Sequence, residues 1–236
     1  MNANCVTSLS LFFPCFNEQD NIERVVKSAL DVLTPLKIDY EVIIVDDGSR
    51  DKTGQIADSL AAKDKHIKVV HHQTNRGYGA ALQSGFSAAS KEFVFYTDGD
   101  GQFDIKELPP LFKYMTDYGI VSCYRIKRRD NLIRKINALG WTTLVCLLFR
   151  MKIKDIDCAF KLYKRSIFDD IKMRSTGALI NTEIFARARR KGYKIFQVGV
   201  NHYPRTAGEQ TGARLRVILR AFKELFMLYK QIKDDE

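Results

Sequence analysis

Two aspartates, Asp98 and Asp100, follow a short apolar segment and are separated by one glycine. Carboxylates at positions i and i+2 beside glycines can turn their oxygens toward one point. Hard divalent cations such as Mg²⁺ favour this arrangement, which substrate phosphates usually complete. The alternative interpretation is an Asp-Gly turn that only connects a strand to the next segment. The position directly after an apolar strand favours the metal site.

Two further polar clusters also follow apolar segments. Asp46 and Asp47 end one such segment, where a carboxylate can accept a hydrogen bond from a base N–H or a ribose hydroxyl; the alternative is a capped turn before the next helix. Glu18 follows the first segment, where it can contact a nucleotide or simply favour the first turn of a helix through the helix dipole. Each cluster alone is weak evidence. Three clusters at three strand ends are hard to explain as caps alone. His71 and His72 also follow a strand, but no third ligand stands at metal spacing, so we assign them no chemistry.

The segments that must position these clusters alternate between strand-like and helix-like patterns. Apolar runs bounded by turn residues and separated by helices of about 10–15 residues predict a parallel sheet with crossover helices. In such sheets, ligands bind outside the carboxyl ends of the strands. The predicted strands cover residues 8–13, 41–45, 66–70 and 93–96, and the predicted helices cover 20–33, 53–62 and 79–89.

The second half of the chain is less regular. Its patterns predict helices over 132–149 and 180–191, with Gly192 as a C-cap, a strand over 193–200 and a final helix over 213–233. The sequence contains no internal repeat and no linker rich in proline or glycine. We therefore expect a single α/β domain over residues 1–236.

Composition limits the class of partner. The chain has 236 residues, 45% of them hydrophobic, and a formal net charge of +10. This charge favours acidic partners, such as substrate phosphates, anionic lipid headgroups or nucleic acid. The basic residues are not interleaved with aromatic residues on a recognisable nucleic-acid module, so we expect no nucleic-acid partner.

The cysteines and the apolar segments bear on location. The five cysteines are scattered and odd in number, which argues against a disulfide framework and for a reducing compartment. The N-terminus lacks a basic region and a long apolar stretch, so we expect no signal peptide. The longest apolar run, residues 139–149, is shorter than the roughly 20 residues of a spanning helix. The cysteines are Cys5, Cys15, Cys123, Cys146 and Cys158.

Four motifs, in order and at their spacings, resemble family 2 glycosyltransferases of the GT-A fold, and among these the polyprenyl (dolichyl) phosphate sugar synthases. The resemblance covers about residues 8–213. It implies a Rossmann-like, mostly parallel sheet flanked by helices, with a nucleotide-sugar-binding half (8–125), an acceptor-binding half (126–212) and a C-terminal amphipathic helix (213–236). The motifs are Pro14-x-Phe16-Asn17-Glu18, Val45-Asp46-Asp47-Gly48-Ser49-x-Asp51-x-Thr53, Asn75-x-Gly77-x-Gly79-Ala80-Ala81 and Asp98-x-Asp100-x-Gln102.

The resemblance also implies roles for residues on the donor side. Pro14, Phe16 and Glu18 would line the nucleotide pocket together with Asp98, and Asp47 would contact the base or ribose. A magnesium or manganese ion and the diphosphate would be held by Asp98, Asp100 and Gln102. Arg205 matches an arginine that approaches the donor phosphate.

On the acceptor side, the resemblance places Arg125 and Arg134 near the acceptor phosphate, and Asp155 and Glu183 at characteristic family positions. Two positions on this side depart from the family pattern. Ala159 stands where the family usually has glycine, and Ala138 replaces a helix serine near the acceptor phosphate.

The implied activity is inverting transfer of a hexose from a nucleotide sugar, of the GDP-mannose or UDP-glucose type, to polyprenyl phosphate. Asp100 and Arg205 would act on the leaving diphosphate. A lipid phosphate is already anionic and needs orientation more than a base. A glycan or other hydroxyl acceptor, which is the alternative, would need a carboxylate base, and Glu183 is the candidate. A sugar nucleotidyltransferase is more distant, because residues 8–20 contain no glycine-rich loop.

Two segments are candidates for membrane contact. Six basic residues crowd positions 125–135, ahead of the apolar run 139–149, and the final helix has an apolar stripe opposite a basic face. Each segment can be a solvated loop or a core helix, or it can lie at a membrane interface. We expect peripheral association with the cytoplasmic face of a membrane, or help from a separate membrane subunit.

Overall fold

The computed structural model of the chain describes residues 6–126, 132–205 and 215–235, and leaves aside the side chains of 132–138 and 215–223. Seven strands form one sheet, in the order β3-β2-β1-β4-β6-β5-β7. The strands are β1 (Ser8–Cys15), β2 (Asp39–Asp46), β3 (Ile67–His71), β4 (Phe93–Thr97), β5 (Ile120–Ile126), β6 (Phe160–Lys164) and β7 (Ile195–Asn201).

Helices cover both faces of this sheet. Short 3₁₀ helices at Thr34–Leu36, Ile105–Glu107 and Pro109–Tyr114 supplement them. The α-helices are α1 (Ile22–Leu33), α2 (Thr53–Lys63), α3 (Tyr78–Ala88), α4 (Leu132–Leu148), α5 (Ile167–Asp170), α6 (Ile180–Arg190) and α7 (Leu215–Asp234).

The sheet is parallel apart from one strand. β1 pairs in parallel with β2 and β4, β2 with β3, and β5 with β7. β6 lies antiparallel between β4 and β5. The expected α/β fold with a mostly parallel sheet is therefore confirmed, whereas β5 and β6 were not among the predicted strands.

Alternating side chains of the central strands build a core on each face of the sheet. Phe12 and Tyr96 face one core, whereas Leu11 and Phe95 face the other, and all four are fully buried. Since both faces are covered, these strands read as continuous apolar runs in the sequence. On the first face, α3 approaches closely at Gly85, where an added Cβ would lie 2.3 Å from the ring of Phe12.

The C-terminal helix α7 packs one face into the protein and exposes another. Leu225, Leu228 and Ile232 are buried in the core. Phe226 and Met227 are 66% and 54% exposed. Among the helices of the described residues, none is both long and apolar enough to span a bilayer.

Candidate active site

The loops after β1 and β2 interlock through their side chains. The backbone N–H of Asn17 donates to Ser49 Oγ at 3.0 Å, and the N–H of Arg50 donates to Asn17 Oδ1 at 2.8 Å. The N–H of Glu18 donates to Thr53 Oγ1 at 2.8 Å. These contacts fix the carboxyl ends of two neighbouring parallel strands relative to each other.

Pro14 and Phe16, predicted to line the nucleotide pocket, lie at this same end of β1. Pro14 is half-buried within the strand, and Phe16 lies just beyond it. The side chain of Phe16 is 38% exposed. An aromatic ring exposed beside a fixed loop offers a flat apolar surface for a ligand to stack on.

The carboxylate of Asp47 is buried and has partners on both oxygens. Oδ1 accepts from the N–H of Arg76 at 2.8 Å and lies 2.6 Å from His72 Nδ1, and Oδ2 accepts from the N–H of Gly77 at 2.9 Å. His72 Nε2 in turn lies 2.8 Å from Ser84 Oγ. Asp47 therefore fastens the segment that leads into α3. A base or ribose contact by Asp47 stays a prediction.

The carboxylate of Asp98, directly after β4, differs from that of Asp47 because one of its oxygens lacks a hydrogen-bond partner in the described residues. Its Oδ1 is buried and has no hydrogen-bond partner within the described part of the chain. Burial and the nearby charge of Asp100 together raise the pKa of Asp98 to about 7, although the charge of Lys161 and a hydrogen bond with Tyr78 oppose the shift. Asp100 Oδ1 accepts from the N–H of Gln102 at 3.0 Å. Two carboxylates that repel each other in a buried position call for a cation between them.

These features fit a divalent metal ion. The unpartnered oxygen of Asp98 is a ready acceptor, and hard cations bind carboxylate oxygens. Within the residues that the structure describes, no group of three His, Cys, Asp or Glu side chains is placed to hold a metal by itself. A metal here would need further oxygen ligands, as expected where substrate phosphates complete the coordination. Metal binding by Asp98, Asp100 and Gln102 stays a prediction.

Arg205 brings a cation from the far end of the chain to this cluster. Its Nη2 donates to Glu18 Oε1 at 2.5 Å, and its Nη1 lies 3.7 Å from Asp100 Oδ2. The segment that carries it is fixed to the loop after β4. Gln102 Nε2 donates to the carbonyl of Tyr203 at 3.0 Å, and the N–H of Tyr203 donates to the carbonyl of Gln102 at 2.9 Å. Glu18, Asp100, Gln102 and Arg205 thus meet at one edge of the sheet.

Arg125, at the end of β5, forms a two-pronged ion pair with Asp155. Its Nε and Nη2 donate to the carboxylate at 2.7 and 2.8 Å. Burial alone would raise the pKa of Asp155, but the contact with Arg125 outweighs it and the pKa is lowered. Arg134 lies in α4, and its side chain is outside the described part of the structure. Contact of Arg125 and Arg134 with an acceptor phosphate stays a prediction.

Glu183, the predicted base for a hydroxyl acceptor, is fully buried in α6. Its Oε2 accepts from the N–H groups of Arg174 and Ser175 at 2.9 and 2.7 Å, and its Oε1 accepts from Arg187 Nε at 2.9 Å. The carbonyl of Ser175 accepts from Gln83 in α3. Glu183 therefore holds the segment before α6 in place, and to act as a base it would have to give up these contacts.

Lys161 is a buried residue near the site that the motifs did not single out. It lies in β6 with no exposed surface, and its Nζ donates to Tyr96 Oη at 3.2 Å and to the carbonyl of Cys158. Tyr96 Oη donates to Asn181 Oδ1 at 2.6 Å. Burial lowers the pKa of Lys161. The signal in the sequence is a lysine inside an otherwise apolar segment, after Phe160.

Comparisons with known proteins agree on one family. The family model described as Glycosyl transferase family 2 matches residues 10–172. The glycosyltransferase AglD of Haloferax volcanii is 30% identical over 207 residues, which cover 84% of this chain and 33% of AglD. The undecaprenyl-phosphate 4-deoxy-4-formamido-L-arabinose transferase of Pseudomonas fluorescens is 30% identical over 220 residues, covering 91% of this chain and 62% of that protein. The chain thus spans less than two thirds of either relative.

Solved structures share the fold. Glucosyl-3-phosphoglycerate synthase from Mycobacterium tuberculosis in complex with UDP has a TM-score of 0.69 at 18% identity, covering 96% of this chain and 80% of that one. The same enzyme with Mn²⁺, UDP and glucosyl-3-phosphoglycerate has a TM-score of 0.64 at 19% identity, covering 96% and 77%. At this identity, the likeness establishes the fold alone.

Proposed function

This chain belongs to glycosyl transferase family 2, and from that premise we propose that it transfers a hexose, with inversion, from a nucleoside-diphosphate sugar to polyprenyl phosphate. The donor is of the GDP-mannose or UDP-glucose type. The reaction depends on Mg²⁺ or Mn²⁺ and takes place at the cytoplasmic face of a membrane.

The unpartnered oxygen of Asp98 carries this proposal. A buried acceptor without a partner costs about 1–3 kcal/mol of folding stability, so its persistence beside a second carboxylate, Asp100, calls for a ligand that the folded chain does not supply. A metal-bound diphosphate supplies both the cation and the remaining oxygens. The complexes of the mycobacterial neighbour with Mn²⁺ and UDP are consistent with this assignment.

Different residues would bind the metal, the diphosphate and the nucleoside of the donor. Asp98 and Asp100 would hold the metal, which as a Lewis acid would stabilise negative charge on the departing nucleoside diphosphate. Arg205, already at this edge, would make charge-assisted hydrogen bonds to the same diphosphate. The exposed ring of Phe16 and the loop that carries Glu18 would border the nucleoside.

The contacts of Glu183 favour a phosphate acceptor over a hydroxyl acceptor. A hydroxyl must lose a proton as it attacks, and the carboxylate predicted to take it is engaged by two backbone N–H groups and Arg187. A lipid phosphate is already anionic and needs only to be oriented. Arg125, whose guanidinium is fixed by Asp155, is the candidate for that task. One relative is named as a transferase to undecaprenyl phosphate.

Exposed apolar side chains support the membrane location. Leu139 and Leu147 of α4 are 67% and 74% exposed, and Phe226 of α7 is also exposed. Lys152 and Lys154 follow α4 and are exposed. Apolar side chains rimmed by lysines suit a surface with anionic headgroups, to which each basic residue contributes about 1 kcal/mol.

A matrix of donors and acceptors tests the proposal. The purified protein with Mn²⁺ is incubated with labelled GDP-mannose, UDP-glucose or other nucleotide sugars, each with polyprenyl phosphate, with phosphoglyceric acid, or with no acceptor. We expect a labelled lipid product from at least one donor, with inverted anomeric configuration, and none after EDTA treatment. A product only on phosphoglyceric acid or a glycan would shift the function to a hydroxyl acceptor. Retention of configuration would exclude single displacement, and no transfer from any donor would refute the proposal.

A further inference from the structure

Arg205 joins two carboxylates that come from different strand ends. It reaches Glu18, beyond β1, at 2.5 Å and Asp100, beyond β4, at 3.7 Å. Its side chain is only 15% exposed, and Glu18 and Asp100 are similarly enclosed. The paired hydrogen bonds between Gln102 and Tyr203 fix the segment that delivers it. A guanidinium therefore lies close to one of the two aspartates of the predicted metal site.

This position sets two cations in competition for one carboxylate. A divalent ion held by Asp98 and Asp100 would lie close to Arg205, and two cations in a partly buried site repel each other. A metal that binds alone must therefore approach, or displace, the guanidinium. A diphosphate offers Arg205 new oxygens to bind, and planar guanidinium groups match phosphate geometry well.

We propose that Arg205 couples metal binding to diphosphate binding. Without a nucleotide, it pairs with Glu18 and Asp100 and weakens the binding of the metal alone. When a diphosphate enters, Arg205 turns to the phosphate oxygens and leaves Asp100 to the metal. The coupling rests on the proposed function, which identifies the two ligands. It means that the site binds the metal alone weakly and binds the metal and the diphosphate more tightly together.

Binding measurements without turnover test this coupling. The dissociation constant of Mn²⁺ alone, and that of UDP or GDP in the presence of EDTA, are measured by calorimetry for the natural chain and for Arg205→Gln. We expect Arg205→Gln to bind Mn²⁺ alone about tenfold more tightly, because a competing charge is removed. We expect it to bind the nucleoside diphosphate without metal about tenfold more weakly, because a charge-assisted contact is lost. The coupling predicts that the affinity for Mn²⁺ alone rises while the affinity for the nucleoside diphosphate falls. A merely structural role of Arg205 would weaken both affinities.

Two control variants isolate the charge. Arg205→Lys keeps a cation at the site, so its affinity for Mn²⁺ alone should stay within about threefold of the natural chain. Arg165→Gln removes the same charge from an exposed pair with Asp169, and should change neither constant. Thermal unfolding confirms that each variant is folded. Arg205 lies outside the helices and strands, and Arg205→Met gives a second uncharged variant with the same expected signs.

The possible outcomes separate this inference from the proposed function. If the natural chain binds UDP or GDP together with Mn²⁺, but Arg205→Gln and Arg205→Met bind Mn²⁺ alone no more tightly than it does, the coupling is wrong and the proposed function stands. The same holds if none of these proteins binds Mn²⁺ alone measurably. If the natural chain binds no nucleoside diphosphate even with Mn²⁺, the proposed function fails, and the coupling fails with it.

Discussion

The carboxyl ends of β2 and β4 both present aspartates, yet the two strand ends use them differently. Beyond β2, Asp47 accepts two backbone N–H groups and contacts His72, so the protein itself satisfies both oxygens. Beyond β4, Asp98 keeps a buried oxygen without a partner in the described residues, and burial together with the nearby Asp100 raises its pKa.

The difference shows how scaffold and ligand site can be told apart within one cluster. A buried carboxylate with a full set of donors lowers the free energy of the fold. One that keeps an oxygen without a donor and faces a like charge raises it, and such groups are retained mainly where a ligand completes them. On this basis, we infer that Asp47 belongs to the scaffold around the candidate site, and we propose that Asp98 and Asp100 belong to its centre.

The largest expected effect is on the β4 side. Asp100→Ala should lower turnover by about a thousandfold or more, because the metal proposed to stabilise the leaving diphosphate would lose a ligand. Release of nucleoside diphosphate measures turnover, and circular dichroism checks the fold. Undiminished turnover would remove Asp100 from the centre of the site.

A second test concerns Glu41, near the start of β2, where a lysine compensates a buried carboxylate. This carboxylate is 3% exposed, and its Oε1 accepts from Ser10 and twice from Ser90. Its Oε2 has no hydrogen-bond partner within the described residues, but it lies 2.6 Å from Lys68 Nζ in an ion pair. Burial opposes its ionisation, but the contacts with Lys68, Ser10 and Ser90 prevail and lower its pKa to about 2.

Because this pKa is below the unfolded value, Glu41 contributes stability that is fully present above about pH 4.5 and is lost as the pH falls toward about 2. The contribution amounts to about 3 kcal/mol. Urea unfolding of the natural chain and of Glu41→Gln across this range measures it. The difference between the two proteins should shrink as the pH falls, and a constant difference would contradict the assignment.

Asp47→Asn should cost about 2 kcal/mol of unfolding free energy, because an amide offers one acceptor where three donors converge. Urea unfolding at neutral pH measures the loss. Asp169→Asn, in an exposed pair with Arg165, is the matched control and should cost about 0.5 kcal/mol or less. Equal losses in the two variants would mean that Asp47 is not a structural anchor.

The smallest effect, and the most direct contrast, is expected from Asp98→Asn. Without metal, this variant should be as stable as the natural chain at pH 8, or up to about 1 kcal/mol more stable, because it removes the repulsion with Asp100. Urea unfolding of the two proteins at this pH measures the difference in stability. A loss as large as that of Asp47→Asn would show that Asp98 has a structural partner and would end the contrast between the two strand ends.

The sequence predicted the strands of the first half because burial on both faces makes them continuous apolar runs. β1, β2, β3 and β4 all coincide with predicted strands to within two residues at each end. β6 was missed because Lys161 interrupts a segment of only five residues, and a lysine is ordinarily taken as exposed. β5 was missed as well, since Ser122 and Arg125 break its apolar pattern.

The candidate site was predictable in its parts but not in its contacts. Spacing and position after strands indicated Glu18, Asp98 and Asp100. The ion pair between Arg205 and Glu18 joins residues 187 positions apart, and no local pattern encodes such a contact. Likewise, the sequence could not show that both carboxylate oxygens of Glu183 already accept hydrogen bonds within the protein. Two of the donors are backbone N–H groups, whose placement depends on tertiary structure.

The reversed direction of β6 has a consequence for how the protein can diversify. Phe160, its first residue, pairs with Thr97, the last residue of β4, so β6 enters the sheet at the edge where its neighbours leave. The connection between β5 and β6 therefore starts and ends at that edge, and it contains α4 and Asp155. A connection that is anchored at both ends can be exchanged or lengthened while β1, β2 and β4 keep their pairing. Specificity for new acceptors could then evolve in this one stretch of chain, with the strand ends that are proposed to bind the metal left unaltered.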